Sequence, residues 1–369
     1  MYRSSLNALQ SIITSHEELA AAAAQLCSAQ AFAVDTEFLR ERTYRAELCL
    51  IQVATAAQAA CIDPLCLTDL SALARPLGLA STVKVMHACR QDLEVLYPAV
   101  GAVTPVFDTQ VAAALAGSAA QVGYADLVRR TLGCDLAKAH TRTDWSSRPL
   151  SAEQIEYALD DVRYLLPLKA HLEDELSRLN RTSWLAEELA GLGSTDNFTV
   201  DPAQAWLRIK GMQRLDPART RLLQQLAAWR ERRAMSRNRP RGWILQDAAL
   251  REIVLRVPRT HAQLGAIEEL PPSVLKHCGT EILECVRSAG ISDPPPPPTT
   301  RARPDPARAA LIRKLATLNQ SIAQELNMSP EVLTTRRELE QLAGGCRDLA
   351  VLRGWRRKVV GERLLEGLS

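Results

Sequence analysis

The sequence predicts an α/β domain followed by domains made of helices alone. Short apolar segments typical of β-strands alternate with helical patterns from residue 32 to about residue 178, and only helical patterns follow residue 188. Aromatic residues make up only 4% of the chain, and Leu and Ala carry the apolar content, a mixture that favours helices. Because 369 residues exceed the usual size of one domain, we expect two or three domains.

Four strands are predicted in the first domain from short apolar runs. They cover residues 31–38, 48–54, 60–62 and 83–87, and a helix is predicted directly after the fourth strand. Two other helices have recognisable starts, because Ser15 with Glu18 and Ser151 with Gln154 match the spacing of a capping box. Alternation of such strands and helices gives the domain its predicted α/β class.

Two acidic residues interrupt the first predicted strand. Asp35 and Glu37 are two positions apart, so the alternation of side chains along a strand places both on one face. Two carboxylates held side by side repel each other, and burial makes both costly to ionise. The pair therefore requires either solvent or a cation, and a divalent metal ion satisfies this requirement directly.

Three further residues complete the candidate site. Asp92 follows the strand at residues 83–87, close to the strand end at which open α/β sheets usually bind ligands. Tyr157 and Asp161 are four positions apart and share one face of the helix that begins after Ser151. Each pattern alone also fits a structural role, such as a strand end, a favourable charge at a helix N-terminus or a packed tyrosine.

Taken in this order, the motifs resemble those of the tyrosine-type branch of the DEDD exonuclease superfamily, and within it those of the bacterial ribonuclease D family. The matching segments are VDTEF at residues 34–38, HACRQD at residues 87–92 and YALDDV at residues 157–162. The similarity covers roughly the first half of the chain. It implies an RNase H-like exonuclease fold with a mixed sheet.

The resemblance implies a 3′→5′ exoribonuclease that releases nucleoside 5′-monophosphates. Two divalent cations, Mg²⁺ or Mn²⁺, are expected in the site, because carboxylates prefer such hard ions and a metal pair can drive phosphodiester hydrolysis. The expected metal ligands are Asp35, Glu37, Asp92 and Asp161. Asp160 is a neighbouring acid, and Asp161 is chosen because the family spacing from the tyrosine is four. Tyr157 stays protonated at neutral pH and is expected to orient the attacking water.

The implied substrates are the 3′ ends of tRNA precursors and other structured RNAs. Phe38, directly beyond the first motif, is a candidate for stacking on the terminal base, although a packing role fits it equally well. Two alternatives remain open from the motifs. One is a 3′→5′ DNA exonuclease of the proofreading or Werner type, and the other is a non-catalytic nucleic-acid-binding module.

The second predicted domain carries a cluster of arginines. Residues 227–241 contain six arginines against the single acid Glu231, a formal charge of +5. Arg230, Arg237 and Arg239 are candidates for contacts with phosphates, which supply affinity without sequence information. A solvated helix face is the plain alternative. The text from residue 226 to residue 250 resembles an HRDC domain, which implies that this domain assists nucleic-acid binding.

The predicted domain boundaries follow from composition. The exonuclease domain spans residues 1–190, the HRDC domain 200–285, a proline-rich linker 286–306 and a second HRDC-like helical domain 307–369. The linker contains five consecutive prolines, at 294–298, which favour an extended polyproline conformation.

Composition also bounds the location and partners of the protein. Nine cysteines occur without a Cys-x-x-Cys pair, which favours reduced thiols, and no apolar run is long enough for a membrane span. We therefore expect a cytoplasmic protein without membrane contact. The expected partner is RNA, no protein partner is implied, and a monomer is expected, although a net charge of +3 alone does not predict nucleic-acid binding.

Overall fold

A computed structural model describes residues 12–136, 143–194, 198, 200–212, 215–290 and 306–368. The chain forms two compact units. The first contains Met1–Phe38, Leu48–Asn197 and Arg303–Ser369, and the second contains Leu39–Glu47 and Phe198–Ala302. The five consecutive prolines of the predicted linker lie outside the described residues.

A mixed sheet forms the centre of the first unit. Within the described residues it has six strands, in the order β1-β4-β3-β2-β5-β6. They are β1 (Ile12–Ile13), β2 (Ala31–Leu39), β3 (Glu47–Ala54), β4 (Ala59–Ile62), β5 (Val83–Met86) and β6 (Val106–Asp108). The strands β2, β5 and β6 run parallel as neighbours, whereas β3 and β4 are antiparallel. Parallel neighbours bring their carboxyl ends to the same edge of the sheet.

Eight α-helices lie before residue 191 in the described part of the first unit, together with a 3₁₀ helix at Ser71–Leu73. They are α1 (His16–Ser28), α2 (Ala74–Gly78), α3 (Arg90–Val100), α4 (Thr109–Ala116), α5 (Tyr124–Leu132), α6 (Ala152–Arg163), α7 (Leu165–Arg178) and α8 (Thr182–Ala190). The two predicted capping boxes are present at the starts of α1 and α6, where Ser15 and Ser151 each accept a hydrogen bond from the third helical residue.

The four predicted strands correspond to β2, β3, β4 and β5, with bounds that differ by one residue at most. The two outer strands β1 and β6 were not among the predicted strands. They contain two and three residues, which is too short for an alternating pattern to stand out in a sequence.

The described part of the second unit consists of helices and the loops between them, apart from its short first segment. Its described α-helices are α9 (Pro217–Arg237), α10 (Arg241–Ile244), α11 (Asp247–Arg256), α12 (His261–Gly265) and α13 (Pro272–Ser288), and a 3₁₀ helix at Pro202–Arg208 precedes them. They bury a core that includes Leu222, Leu226, Leu250 and Ile282. The segment Leu39–Glu47, which follows the first motif, belongs to this unit, and Tyr44 packs against its core.

The C-terminal helices belong to the first unit and share its hydrophobic core. They are α14 (Pro306–Glu325), α15 (Pro330–Leu333), α16 (Arg336–Ala343), α17 (Gly354–Arg356) and α18 (Glu362–Glu366). The sequence places residues 307–369 in a domain of their own, whereas the structure buries Leu315 and Trp355 in one cluster with Val85 and Phe107. Apolar contacts over such distances along the chain leave no trace in composition or local periodicity.

Two further observations concern the whole described chain. No described helix combines the length and apolar character that crossing a membrane requires. All nine cysteines are free thiols.

Candidate active site

Acidic side chains gather at the carboxyl edge of the three parallel strands. The pairing of Ala33 with Val85 aligns β2 with β5, and the pairing of Met86 with Asp108 aligns β5 with β6. Asp35 and Glu37 therefore lie in the last part of β2, near the start of the helix α3 that carries Asp92. Topology thus brings together the first two predicted motifs.

Burial and mutual repulsion shift the pKa values of the predicted ligands. Burial raises the pKa of Asp35 well above its usual value. The carboxylates of Asp92, Asp161 and Glu37 raise the pKa of Asp35 further. For Glu37, burial followed by repulsion from Asp161 and Asp92 raises the pKa to about 8. Four acids from three separate segments therefore repel one another in one place.

The two remaining acids are perturbed in the same direction. Burial raises the pKa of Asp92 to about 6, even though a hydrogen bond from Thr36 acts to lower it. Burial followed by repulsion from Asp160 raises the pKa of Asp161 to about 7, and a hydrogen bond from Tyr157 again opposes the rise. A cation placed among these groups would offset both the burial and the repulsion.

Tyr157 lies against the acids with its hydroxyl protonated. The hydroxyl hydrogen-bonds the Asp161 carboxylate, and burial followed by the charge of Asp161 raises the pKa of Tyr157 above its usual value. The ring lies 6.1 Å from the ring of Trp145, centroid to centroid, and is tilted against it. Tyr157 can therefore donate a hydrogen bond at neutral pH but does not act as a base.

The donor set suits a hard divalent cation. The candidate ligands among the described residues are the oxygens of four carboxylates, which carry excess negative charge when ionised. As the side chains stand, no three His, Cys, Asp or Glu groups in the described ranges form a finished metal-binding arrangement. The Asp92 carboxylate accepts a hydrogen bond from the Thr36 hydroxyl at 2.5 Å.

A tight turn between β5 and α3 sets the position of Asp92. Ala88 has a positive φ of 53°, and the N–H groups of Ala88 and Cys89 donate to the Asp108 carboxylate at 3.1 and 2.9 Å. Asp108 also caps α4 by accepting from the N–H of Gln110 at 2.8 Å. Sequence reasoning missed Asp108 and Thr36 as supports of the site. Asp108 stands directly before a helix, which is a recognisable capping signal.

The two adjacent acids of the third motif, Asp160 and Asp161, differ in their contacts. Asp160 accepts a hydrogen bond from Arg163 through its carboxylate and from the hydroxyl of Tyr124 through its backbone carbonyl. Asp161, by contrast, engages Tyr157 and contributes to the raised pKa values of Asp35 and Glu37. These contacts favour Asp161 as the ligand.

The predicted RNA-binding residues differ in exposure. Arg230 is only 4% exposed, and its guanidinium donates to Asp247 at 2.6 Å and to the Leu245 carbonyl at 3.0 Å. The structure therefore contradicts a phosphate contact for Arg230, because its charge already serves an internal ion pair. Arg237 and Arg239 are exposed, and Phe38 is half-buried.

Comparisons with known proteins extend over nearly the whole chain. A family model for 3′-5′ exonucleases matches residues 10–177, and a model for the HRDC domain matches residues 219–286. A protein from Jannaschia sp. (strain CCS1) named ribonuclease D is 42% identical to this chain, and the alignment covers 96% of this chain and 95% of that protein. A ribonuclease D from Pseudomonas paraeruginosa is 36% identical, with 91% and 92% covered.

A solved structure shows the same fold. The crystal structure of Escherichia coli RNase D, described as an exoribonuclease involved in structured RNA processing, matches with a TM-score of 0.86 and 31% identity. The match covers 97% of this chain and 98% of that chain. These comparisons confirm the predicted exonuclease fold and the helical HRDC domain.

Proposed function

The chain belongs to the ribonuclease D family and is a 3′→5′ exoribonuclease, and we propose that Asp35, Glu37, Asp92 and Asp161 hold two divalent metal ions for its hydrolytic reaction. The convergence of these four acids, each with a raised pKa, is the observation that carries the proposal. Without a cation, ionising them together is costly in a half-buried site.

When bound, Mg²⁺ or Mn²⁺ ions would supply charge neutralisation on the phosphate, activation of water and stabilisation of the departing 3′ oxygen. The protein contributes the positions of these groups. Thr36 restrains the Asp92 carboxylate through its hydroxyl, and Asp108 fixes the turn before the helix that carries Asp92. Tyr157 orients the attacking water through its protonated hydroxyl, whose oxygen can accept a hydrogen bond from that water while its proton is donated to Asp161.

The proposed substrates are tRNA precursors and other structured RNAs with a free 3′ end, and the products are nucleoside 5′-monophosphates. The relative from Escherichia coli, which acts in structured RNA processing, supports this substrate class. Arg237 and Arg239 are exposed on the helical unit and are proposed to contact phosphates. Phe38 is proposed to stack on the terminal base.

Degradation of matched RNA and DNA oligonucleotides tests the reaction. We expect Mg²⁺- or Mn²⁺-dependent release of mononucleotides from RNA with a free 3′ hydroxyl, and little release once the 3′ end is blocked. Asp35→Ala should reduce turnover by several orders of magnitude, because ligand loss removes positioning and charge compensation together.

Three results would contradict the proposal. Internal cleavage of a 3′-blocked RNA would exclude an exonuclease, and faster degradation of DNA than of RNA would exclude the proposed substrate. Near-wild-type turnover by Asp35→Ala at saturating Mg²⁺ would remove the proposed metal site.

A further inference from the structure

One surface of the helical unit combines exposed arginines with an exposed tryptophan. Its residues are Arg45, Arg237, Arg239 and Trp243, and we call it the Arg–Trp surface. Trp243 is 57% exposed, which is unusual for so large an apolar side chain, and the Arg239 guanidinium lies 5.7 Å from the centroid of its ring. Arg45, Arg237 and Arg239 are exposed as well.

Two segments far apart in the sequence build this surface. The backbone N–H groups of Tyr44 and Arg45 both donate to the side-chain oxygen of Asn238, at 3.1 and 3.2 Å. Asn238 lies between Arg237 and Arg239 in the sequence, so these two hydrogen bonds hold the backbone of Arg45 against the residue between the two arginines. Asn238 itself ends α9 in the left-handed conformation, with φ of 44°.

Buried contacts hold the two segments together. The Tyr44 hydroxyl donates to the carboxylate of Glu231, which is fully buried, and Arg241 pairs with the same carboxylate at 3.3 Å. The Arg241 guanidinium also lies 5.6 Å from the centre of the Tyr44 ring. Tyr44, Glu231 and Arg241 therefore form the anchor, and they leave the neighbouring arginines of the surface free for another partner.

The arginines of the helical unit fall into two groups by their contacts. Arg230 and Arg233 are tied to Asp247 and Glu281, at 2.6 and 2.5 Å. Among the described residues, no carboxylate lies within ion-pair distance of Arg45, Arg237 or Arg239. Unpaired guanidinium groups beside an exposed indole match the two features of a single nucleic-acid strand, its phosphates and its unpaired bases.

We propose that the Arg–Trp surface binds single-stranded RNA, with Trp243 stacking on an unpaired base and the three arginines contacting the adjacent phosphates. This inference rests on the proposed function, because RNA is the substrate of that reaction. It adds a preference for unpaired strands. Bases within a duplex are already stacked on each other and offer no free face to Trp243.

Equilibrium binding of an unpaired RNA of about ten nucleotides tests the role of Trp243, with EDTA present to prevent hydrolysis. Trp243→Ala should raise the Kd about 5- to 100-fold, because one stacked base is lost. Trp243→Phe keeps an aromatic face and should retain most of the affinity. An equal Kd for wild type and Trp243→Ala would overturn the proposal.

A strand that lacks bases separates stacking from charge. Wild type and Trp243→Ala should bind a sugar-phosphate oligomer without bases equally well, because no base is present to stack. A loss of affinity for the base-free strand equal to the loss for RNA would show that Trp243 acts through structure alone and would overturn the stacking role.

The salt dependence of binding tests the arginines. Arg45→Gln should flatten the dependence of log Kd on log salt by about one unit, because one phosphate contact and its released counterion are lost. Arg221→Gln is the matched control. Arg221 is exposed on the same helix α9, about 24 Å along the axis from Arg237, and its replacement should leave the slope unchanged. Equal slopes for wild type and Arg45→Gln would overturn the arginine contacts.

Hydrolysis of a dinucleotide by the wild-type protein separates this proposal from the proposed function. Such a substrate requires the carboxylate site alone. Absence of Mg²⁺-dependent dinucleotide hydrolysis would contradict the proposed function, whereas the binding results in EDTA decide the Arg–Trp surface independently of catalysis.

Discussion

At the scale of single residues, the protonation of the four clustered acids controls the stability of the metal-free site. Their folded pKa values are raised above the ordinary values of 3.8 for Asp and 4.5 for Glu, to about 8 for Glu37 and about 7 for Asp161. An acid with a raised folded pKa stabilises the fold below its unfolded pKa, and this contribution is lost as pH rises through the folded pKa. The metal-free protein should therefore lose stability between about pH 4 and pH 8.

Asp161→Asn tests this electrostatic account and the ligand assignment together. At pH 8 without metal, the variant should be more stable than wild type by about 1–3 kcal/mol, because one repelling charge is gone. Mg²⁺ should raise the Tm of wild type, increasingly as pH rises and the acids ionise, but should barely raise the Tm of the variant. Thermal melts across pH with Mg²⁺ or EDTA provide the measurement.

Asp160→Asn is the matched control for this prediction. Asp160 is adjacent in sequence, and its carboxylate is engaged by Arg163. The control should keep the Mg²⁺-dependent rise in Tm and most of the activity. Loss of both in Asp160→Asn, with a benign Asp161→Asn, would move the ligand role by one residue.

Tyr157→Phe isolates the hydroxyl of the tyrosine. Phenylalanine keeps the ring beside Trp145 but removes the hydrogen bond to Asp161, so kcat should fall about 10²-fold or more while the Mg²⁺-dependent rise in Tm changes little. Single-turnover kinetics on an RNA oligonucleotide measure the effect on chemistry. An unchanged rate of the chemical step would leave Tyr157 with a packing role only.

At the scale of elements, the turn between β5 and α3 links the geometry of the sheet to the proposed metal site. Asp108→Asn keeps the shape of the side chain but removes the charge that accepts from Ala88 and Cys89. We expect a loss of about 1.5–3 kcal/mol in unfolding free energy, because these are hydrogen bonds to a charged group. The Mg²⁺ concentration for half-maximal activity should also rise, because α3 carries Asp92.

A helix cap in the other unit provides the comparison for Asp108. Asp216 caps α9 by accepting from the Arg219 N–H at 2.9 Å. Asp216→Asn should lower stability but leave the Mg²⁺ requirement unchanged. If both variants shifted the Mg²⁺ requirement equally, the effect of Asp108 would be general destabilisation.

At the scale of the whole molecule, the C-terminal helices complete the core of the catalytic unit. The rings of Trp184 and Trp355 stack with centroids 4.5 Å apart and an angle of 9° between them. Arg181 donates to the carbonyls of Leu115 and Leu326, at 2.7 and 2.6 Å, and so joins helix α4 to the end of α14. A Cβ atom at Gly117 would stand 2.7 Å from the Asn327 carbonyl oxygen, so this close approach requires glycine.

Trp355→Ala should therefore destabilise the catalytic unit by about 3–5 kcal/mol, because it leaves a cavity and unpairs the stacked ring. Chemical unfolding followed by circular dichroism measures the loss. Arg336→Gln on α16 is the control, since its side chain is 86% exposed and should contribute little. A Trp355→Ala variant as stable as wild type would mean that the C-terminal helices are not required by the catalytic core.

The sequence by itself determined the candidate site, the starts of helices α1 and α6, and four of the six described strands of the exonuclease domain. These features depend on residues a few positions apart, such as the spacing of Asp35 from Glu37, of Tyr157 from Asp161 and of Ser151 from Gln154. Local spacing determines which side chains share a face of a strand or helix. The motif order of a known family indicates that the separate motifs form one site.

Only the tertiary structure decided which unit each distant segment joins and which charges remain available. Tyr44 bonds Glu231 across 187 positions, Arg230 loses its predicted phosphate role to Asp247, and the last helices share a core with β5 and β6. An arginine looks the same in the sequence whether it is buried in an ion pair or exposed to a ligand. The role of an arginine depends on the partners that packing brings next to it. A buried arginine is paired with a neighbouring carboxylate, whereas an exposed one remains available to a ligand.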